Sequence, residues 1–175
     1  AGSGGLSVAY AASRMGARVV LVEGGAMGGD CLNTGCVPSK ALIAAARHAQ
    51  ILRQGGRFGI APVEPQVDFA AVQAHVRQVI AGIAPVDSQE RYEGLGVHVI
   101  RDWARFVSSD AIEAGGRRIT ARRFVIATGS RPRVPPVPGL DTLPYLTNET
   151  VFDLTALPAH LLVLGGGPIG IELAQ

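Results

Sequence analysis

The chain has 175 residues, 47% of them hydrophobic and 17% charged, with a net charge of +2 at pH 7. Such a composition excludes a disordered tail and is enough for one good domain and the beginning of another. A charge so close to zero gives no footing for a nucleic-acid partner, and no apolar run approaches the roughly 20 residues of a membrane span.

The opening Ala1-Gly2-Ser3-Gly4-Gly5 runs into an alanine-rich, proline-free stretch, 6–16. This predicts a glycine turn opening a helix that Gly16 stops. Val19-Val20-Leu21-Val22, ending at Glu23, predicts a parallel strand covered on both faces. Turn, helix and strand make most of a βαβ unit whose first strand is expected upstream. Gly2 and Gly5 would be the second and third glycines of a G-x-G-x-x-G. Pro38 is tolerable only in a first helical turn, so a helix of about 37–53 follows, ending near Gly55-Gly56. Pro62 and Pro65 punctuate a loop. Asp68 then caps an amphipathic helix with Phe69, Val72, Val76, Val79, Ile80 and Ile83 on one face, closed by Pro85.

Short apolar runs between Val97 and Thr120, with a Gly115-Gly116 turn, predict antiparallel strands. Arg117, Arg118, Arg122, Arg123, Arg131 and Arg133 read as their solvated surface. Phe124-Val125-Ile126-Ala127 predicts another buried strand, running into Thr128-Gly129-Ser130. Pro132, Pro135, Pro136, Pro138 and Gly139 form an extended connector, the best domain boundary in the chain. Finally Leu161-Leu162-Val163-Leu164 predicts a strand leading into Gly165-Gly166-Gly167-Pro168-Ile169-Gly170, a complete G-x-G-x-x-G at the start of a helix. The fold class expected is α/β. A doubly wound parallel-sheet domain with an antiparallel insertion would fill 1–157, and 158–175 would open a second Rossmann-like domain.

Glycines at the start of a helix let the backbone approach a pyrophosphate, and the helix N-terminus meets it with N–H groups and positive dipole. An acid ending the next strand, here Glu23, can bind the adenosine ribose. One glycine fingerprint is weak evidence; two in strand-to-helix context imply two dinucleotides, such as a flavin and a nicotinamide.

Only two cysteines occur, Cys31 and Cys36, so no disulfide scaffold is built; they read as catalytic or metal-binding, as in a reducing compartment such as the cytoplasm. Residues five apart in a regular helix have Cα atoms about 8.6 Å apart, beyond the reach of a disulfide. If the two pair, the backbone must leave the helix, and Gly35 eases that. A bridge over so short a loop would gain little chain-entropy stabilisation. Cys36 falls at a helix N-terminus, where a thiolate is stabilised. A zinc site is the alternative, but it needs two more ligands and only His48 is near.

The segment Gly28-Gly29-Asp30-Cys31-Leu32-Asn33-Thr34-Gly35-Cys36-Val37-Pro38-Ser39-Lys40 resembles the signature of the class I pyridine nucleotide–disulfide oxidoreductases, which include dihydrolipoyl dehydrogenase, mercuric reductase and glutathione reductase. Ala127-Thr128-Gly129 resembles that family's second FAD motif, and Gly165 to Glu172 its nicotinamide fingerprint. Ser39-Lys40 is closer to the dihydrolipoyl dehydrogenase and mercuric reductase branch. Asp30 and Thr34 depart from the usual threonine and valine.

The resemblance implies an FAD-dependent oxidoreductase using NAD(P)H and a redox-active disulfide, Cys31–Cys36. Cys31 would be the interchange thiol and Cys36 the charge-transfer thiolate against the isoalloxazine. Gly2, Ser3 and Gly5 would meet the FAD pyrophosphate and Glu23 its ribose. Gly28, Gly29 and Asp30 would line its phosphate–ribitol region, and Ala104 the adenine. Thr128, Gly129 and Ser130 would close over the cofactor. Lys40 would stand beside the flavin, paired with Glu172, and Gly165, Gly167 and Gly170 would take the nicotinamide dinucleotide. The implied substrate is a small disulfide, dithiol or metal ion, turned over by a full-length homodimer whose acid–base histidine lies past this segment; residues 1–175 alone would be inactive. His48, His75, His98 and His160 match nothing in that motif and read as surface residues. Trp103 and Tyr145 read as packing. A flavin-binding thiol sensor without turnover is the rival from another class.

Overall fold

The computed structural model describes residues 1–175. By compactness the chain forms two units, one of Ala1–Asn33 with Gly82–Arg131 and the other of Thr34–Ala81 with Pro132–Gln175.

The first unit is built on helix α1 (Ser3–Arg14) and strand β1 (Val19–Val22). The helix starts earlier than expected, taking Gly4 and Gly5 into its first turn. It ends in a Schellman motif: Ala17 N–H bonds to the Ala12 carbonyl and Gly16 N–H to that of Ser13. Gly16 supplies the left-handed residue this ending needs, at φ +79°. Strand β2 (Val97–Ile100) lies parallel to β1 with Val19 opposite Val97 and Val22 opposite Ile100, and α5 (Gln89–Gly94) leads into it, capped by the Ser88 hydroxyl. Leu6 and Ala9, three apart on α1, pack with Leu21, Tyr92, Val97 and Val99 as the core. The Tyr92 hydroxyl donates to the Leu6 carbonyl at 3.2 Å.

Strands β3 (Arg105–Ser108), β4 (Ala111–Ala114) and β5 (Arg117–Thr120) form an antiparallel sheet turned at Gly115-Gly116. The mixed α/β class with an antiparallel insertion is therefore as expected. Three strand expectations need correction. The 97–100 run joins the parallel sheet, not the antiparallel one. Val20 is 41% exposed, so β1 is covered on one face only. The 124–127 run is no strand: Val125 and Ile126 are exposed, and Phe124 is held edge-to-face on Phe106 at 5.1 Å. An apolar run becomes a strand only where a neighbour takes its N–H and C=O groups, and β1 pairs with β2 alone.

The second unit contains α3 (Cys36–Arg53), most of α4 (Phe69–Ile83) and α6 (Pro168–Leu173). Pro38 lies buried in the first turn of α3. The Asp68 carboxylate caps α4 by accepting from Ala71 N–H at 3.1 Å. The face of α4 is the expected one: Val76 is buried and Phe69, Val72, Val79 and Ile80 are half-buried, with Gln73 buried beside them and only Ile83, at the helix end, exposed. Residues 161–164 are also not a strand, with Leu162 83% exposed and no partner ladder. No helix is long and apolar enough to cross a membrane.

Candidate functional site

In the first unit, Gly2 caps α1 in an extended conformation, and no side chain caps the first turn. Its leading N–H groups are therefore aimed out of the helix without an acidic neighbour. Against this turn lies Gly28-Gly29, both with positive φ (+86° and +55°). Gly28 N–H donates to the Ala1 carbonyl at 2.9 Å. A Cβ on Gly29 would sit 2.6 Å from the Gly2 Cα, so only glycine permits the approach. Ala127 comes to the same place: its methyl lies 3.8 and 3.7 Å from where side chains on Gly4 and Gly5 would begin. Three segments far apart in sequence thus meet at one helix start. Asn33, which sequence reasoning passed over, braces the turn by donating to the carbonyls of Gly29 (2.8 Å) and Met27 (3.0 Å).

Asp30 is exposed in the first turn of α2 (Gly29–Asn33), where the helix dipole favours its charge. Glu23 follows β1 directly. Its carboxylate accepts from Gly25 N–H at 2.5 Å. Ala104, Thr128, Gly129 and Ser130 are exposed, and Gly129 has φ +71°.

Cys31 is half-buried in α2. It lines a cleft of about 300 Å³ with Ser3, Leu6, Ser7, Tyr10, Asp87 and Tyr92. None of Ser7, Tyr10, Asp87 and Tyr92 is marked by a local motif, since chain topology alone brings them together. Burial holds the Tyr92 phenol above its usual pKa.

In the second unit, Cys36 is the exposed first residue of α3, after Gly35. The chain breaks helix between Cys31 and Cys36 at Thr34-Gly35, as the pairing would require. The Lys40 ammonium and Glu172 carboxylate form an ion pair at 2.5 Å, and the Ser39 hydroxyl donates to the same carboxylate. Hydrogen bonds from Lys40 first and Ser39 second hold the Glu172 carboxyl below its ordinary range. The Lys40 side chain is 63% exposed, so the pair lies toward solvent. A cleft of about 410 Å³ lies beside it, lined by Lys40, Ile43, Pro168, Ile171, Glu172 and Gln175. In the glycine fingerprint, Gly165 has φ +117° and Gly170 faces the Gly165 carbonyl so closely that a Cβ would collide with it. The four histidines are all exposed.

Comparison with known proteins yields a consistent set. A family profile described as pyridine nucleotide-disulphide oxidoreductase matches residues 1–175. The mercuric reductase of Streptomyces lividans is 38% identical over 180 residues, covering 99% of this chain and 38% of that protein. That of Shigella flexneri is 39% identical over 190 residues, covering 99% and 32%. Among solved structures, the HOCl-induced flavoprotein disulfide reductase RclA from Escherichia coli superposes with a TM-score of 0.79 at 29% identity, over 99% of this chain and 37% of that one. Its Cu(II) complex matches equally well. The chain thus spans under two fifths of the length of each of these proteins, and it shares the fold of flavoprotein disulfide reductases.

Proposed function

The chain belongs to the pyridine nucleotide-disulphide oxidoreductase family, and from that premise we propose that its full-length protein is an FAD-dependent oxidoreductase. It passes electrons between NAD(P)H, flavin and the Cys31/Cys36 pair to a disulfide, dithiol or metal-ion substrate. The observation that carries this reading is the cradle at the start of α1. Gly2 and Gly29 approach so closely that a Cβ would fill the gap, beside helix N–H groups with no side-chain cap. Such a surface fits a pyrophosphate. Gly2, Ser3 and Gly5 would hold it, with Glu23 on the ribose and Gly28, Gly29 and Asp30 along the phosphate–ribitol stretch. Ala104, Thr128, Gly129 and Ser130 complete the assignment. Gly165, Gly167 and Gly170 would serve the nicotinamide dinucleotide. Residues 1–157 are then an FAD-binding domain and 158–175 the opening of an NAD(P)-binding one, in a cytoplasmic homodimer.

The chemistry assigned to the cysteines balances as thiol–disulfide exchange. The Cys31 thiolate attacks one sulfur of a disulfide, and the other half leaves as a thiolate that takes up a proton. Cys36 then attacks the Cys31 sulfur, expelling the second half as a thiol and closing the Cys31–Cys36 bond. FAD, when bound, supplies the two electrons that reopen that bond. The cleft at Cys31 gives a substrate access to the attacking sulfur. Lys40 and Glu172 keep their assignment beside the flavin, and Ser39 joins them by steadying the carboxylate.

Likeness to mercuric reductases favours a metal ion as substrate. Stopped-flow mixing of the full-length protein with NADH or NADPH, alone and with mercuric ion or lipoamide, tests this. Flavin reduction followed by turnover of either substrate is expected. Flavin reduction without turnover of either would favour a thiol sensor, and a protein that purifies without flavin would overturn the reading.

A further inference from the structure

Strands β1 and β2 are parallel neighbours, so their C-terminal ends open on the same edge of the sheet, the edge where α/β folds bind ligands. Glu23-Gly24-Gly25 leaves β1 there, and Arg101-Asp102-Trp103 leaves β2. The Trp103 indole lies flat over Gly24: a Cβ on that glycine would be 2.5 Å from Cδ2, 2.6 Å from Cε2 and 3.0 Å from Cε3. Gly24 has no positive φ, so its backbone would accept a side chain, and what excludes one is the ring. Trp103 is nevertheless 71% exposed. One face of the indole covers the glycine, which follows Glu23 in the chain, and the other faces solvent.

The loop that carries it is braced. Asp102 accepts from Trp103 N–H at 2.8 Å through one oxygen and from Gly115 N–H at 2.7 Å through the other. The Arg101 guanidinium donates to the Gly25 carbonyl at 2.5 Å, tying the two strand ends together. Leaving so large an apolar face in water, on a fixed loop, is unfavourable without an occupant. A purine is flat and matches the ring in size, and its ribose would fall toward the adjoining carboxylate.

We infer that Trp103 is the adenine platform of this chain, stacking on the purine of the dinucleotide whose ribose is bound by Glu23. This rests on the proposed dinucleotide reading and adds to it a binding residue that the glycine motifs do not contain. Base–aromatic stacking is worth roughly 5- to 100-fold in affinity when the aromatic is removed.

The test uses full-length protein stripped of flavin, with calorimetric titration of FAD, ADP and FMN. Trp103→Ala weakens ADP and FAD by at least about 5-fold and leaves FMN, which has no adenine, unchanged. Trp103→Phe retains most of the affinity. Gly24→Ala, which pushes the ring aside, weakens ADP like Trp103→Ala and adds nothing in the Trp103→Ala background. ADP affinity within about 2-fold of the parent in a folded Trp103→Ala, or in Trp103→Leu should the alanine variant not fold, would overturn the inference. So would an equal loss for FMN. A parent protein that binds neither FAD nor ADP would instead overturn the dinucleotide reading, and the inference with it.

Discussion

Lys40 and Glu172 stand 132 positions apart, and only the family resemblance linked them; their ion pair is present at 2.5 Å. Its surroundings are open to solvent. With the lysine side chain 63% exposed, the pair belongs with surface ion pairs, worth about 0–1 kcal/mol, and not with buried ones, whose disruption costs about 3–5. A double-mutant cycle of Lys40→Met and Glu172→Gln, followed by chemical unfolding of the full-length chain, should give a coupling below about 1 kcal/mol at neutral pH. The sign with pH follows from the depressed Glu172 pKa. Stability from the pair is present above the unfolded carboxyl pKa and is lost as pH falls through the lower folded value. A coupling near 3 kcal/mol, or one that grows on acidification, would contradict this assignment. Other residues of the site carry no local mark at all. Tyr10 and Asp87 beside Cys31, and Trp103 on Gly24, are products of long-range packing.

At the level of elements, the helices were legible because their ends are set by local chemistry. Gly16 stops α1, Pro38 opens α3 and Asp68 caps α4, each within a turn of the expected place. Strands were less legible, since pairing depends on a distant partner. The run 97–100 looks like its neighbours in sequence but pairs with β1. The equally apolar runs 124–127 and 161–164 find no ladder. A cap prediction is correspondingly sharp. Asp68→Ala should destabilise the full-length chain by about 1 kcal/mol, read as a shift in the unfolding midpoint at constant slope, and Asp68→Asn should restore most of it. No shift in Asp68→Ala would mean that the carboxylate contact with Ala71 N–H is not holding α4.

For the whole molecule, the glycine turns, the cysteine motif and the second fingerprint are each short and local, which is why family and fold class could be read from the chain. Gly28, Gly29 and Ala127 converge on one helix start, a meeting that no single motif specifies. Substrate choice is set by surfaces assembled from many elements, and this chain spans under two fifths of its relatives' length. The central claim is that Cys31 and Cys36 exchange two electrons with a bound dinucleotide. Differential alkylation of the full-length protein, mapped by mass spectrometry before and after anaerobic addition of NAD(P)H, tests it most directly. The account predicts a Cys31–Cys36 cross-link in the oxidised protein and two separately alkylated cysteines after reduction. Full reduction of the flavin with the alkylation of both cysteines unchanged would contradict it.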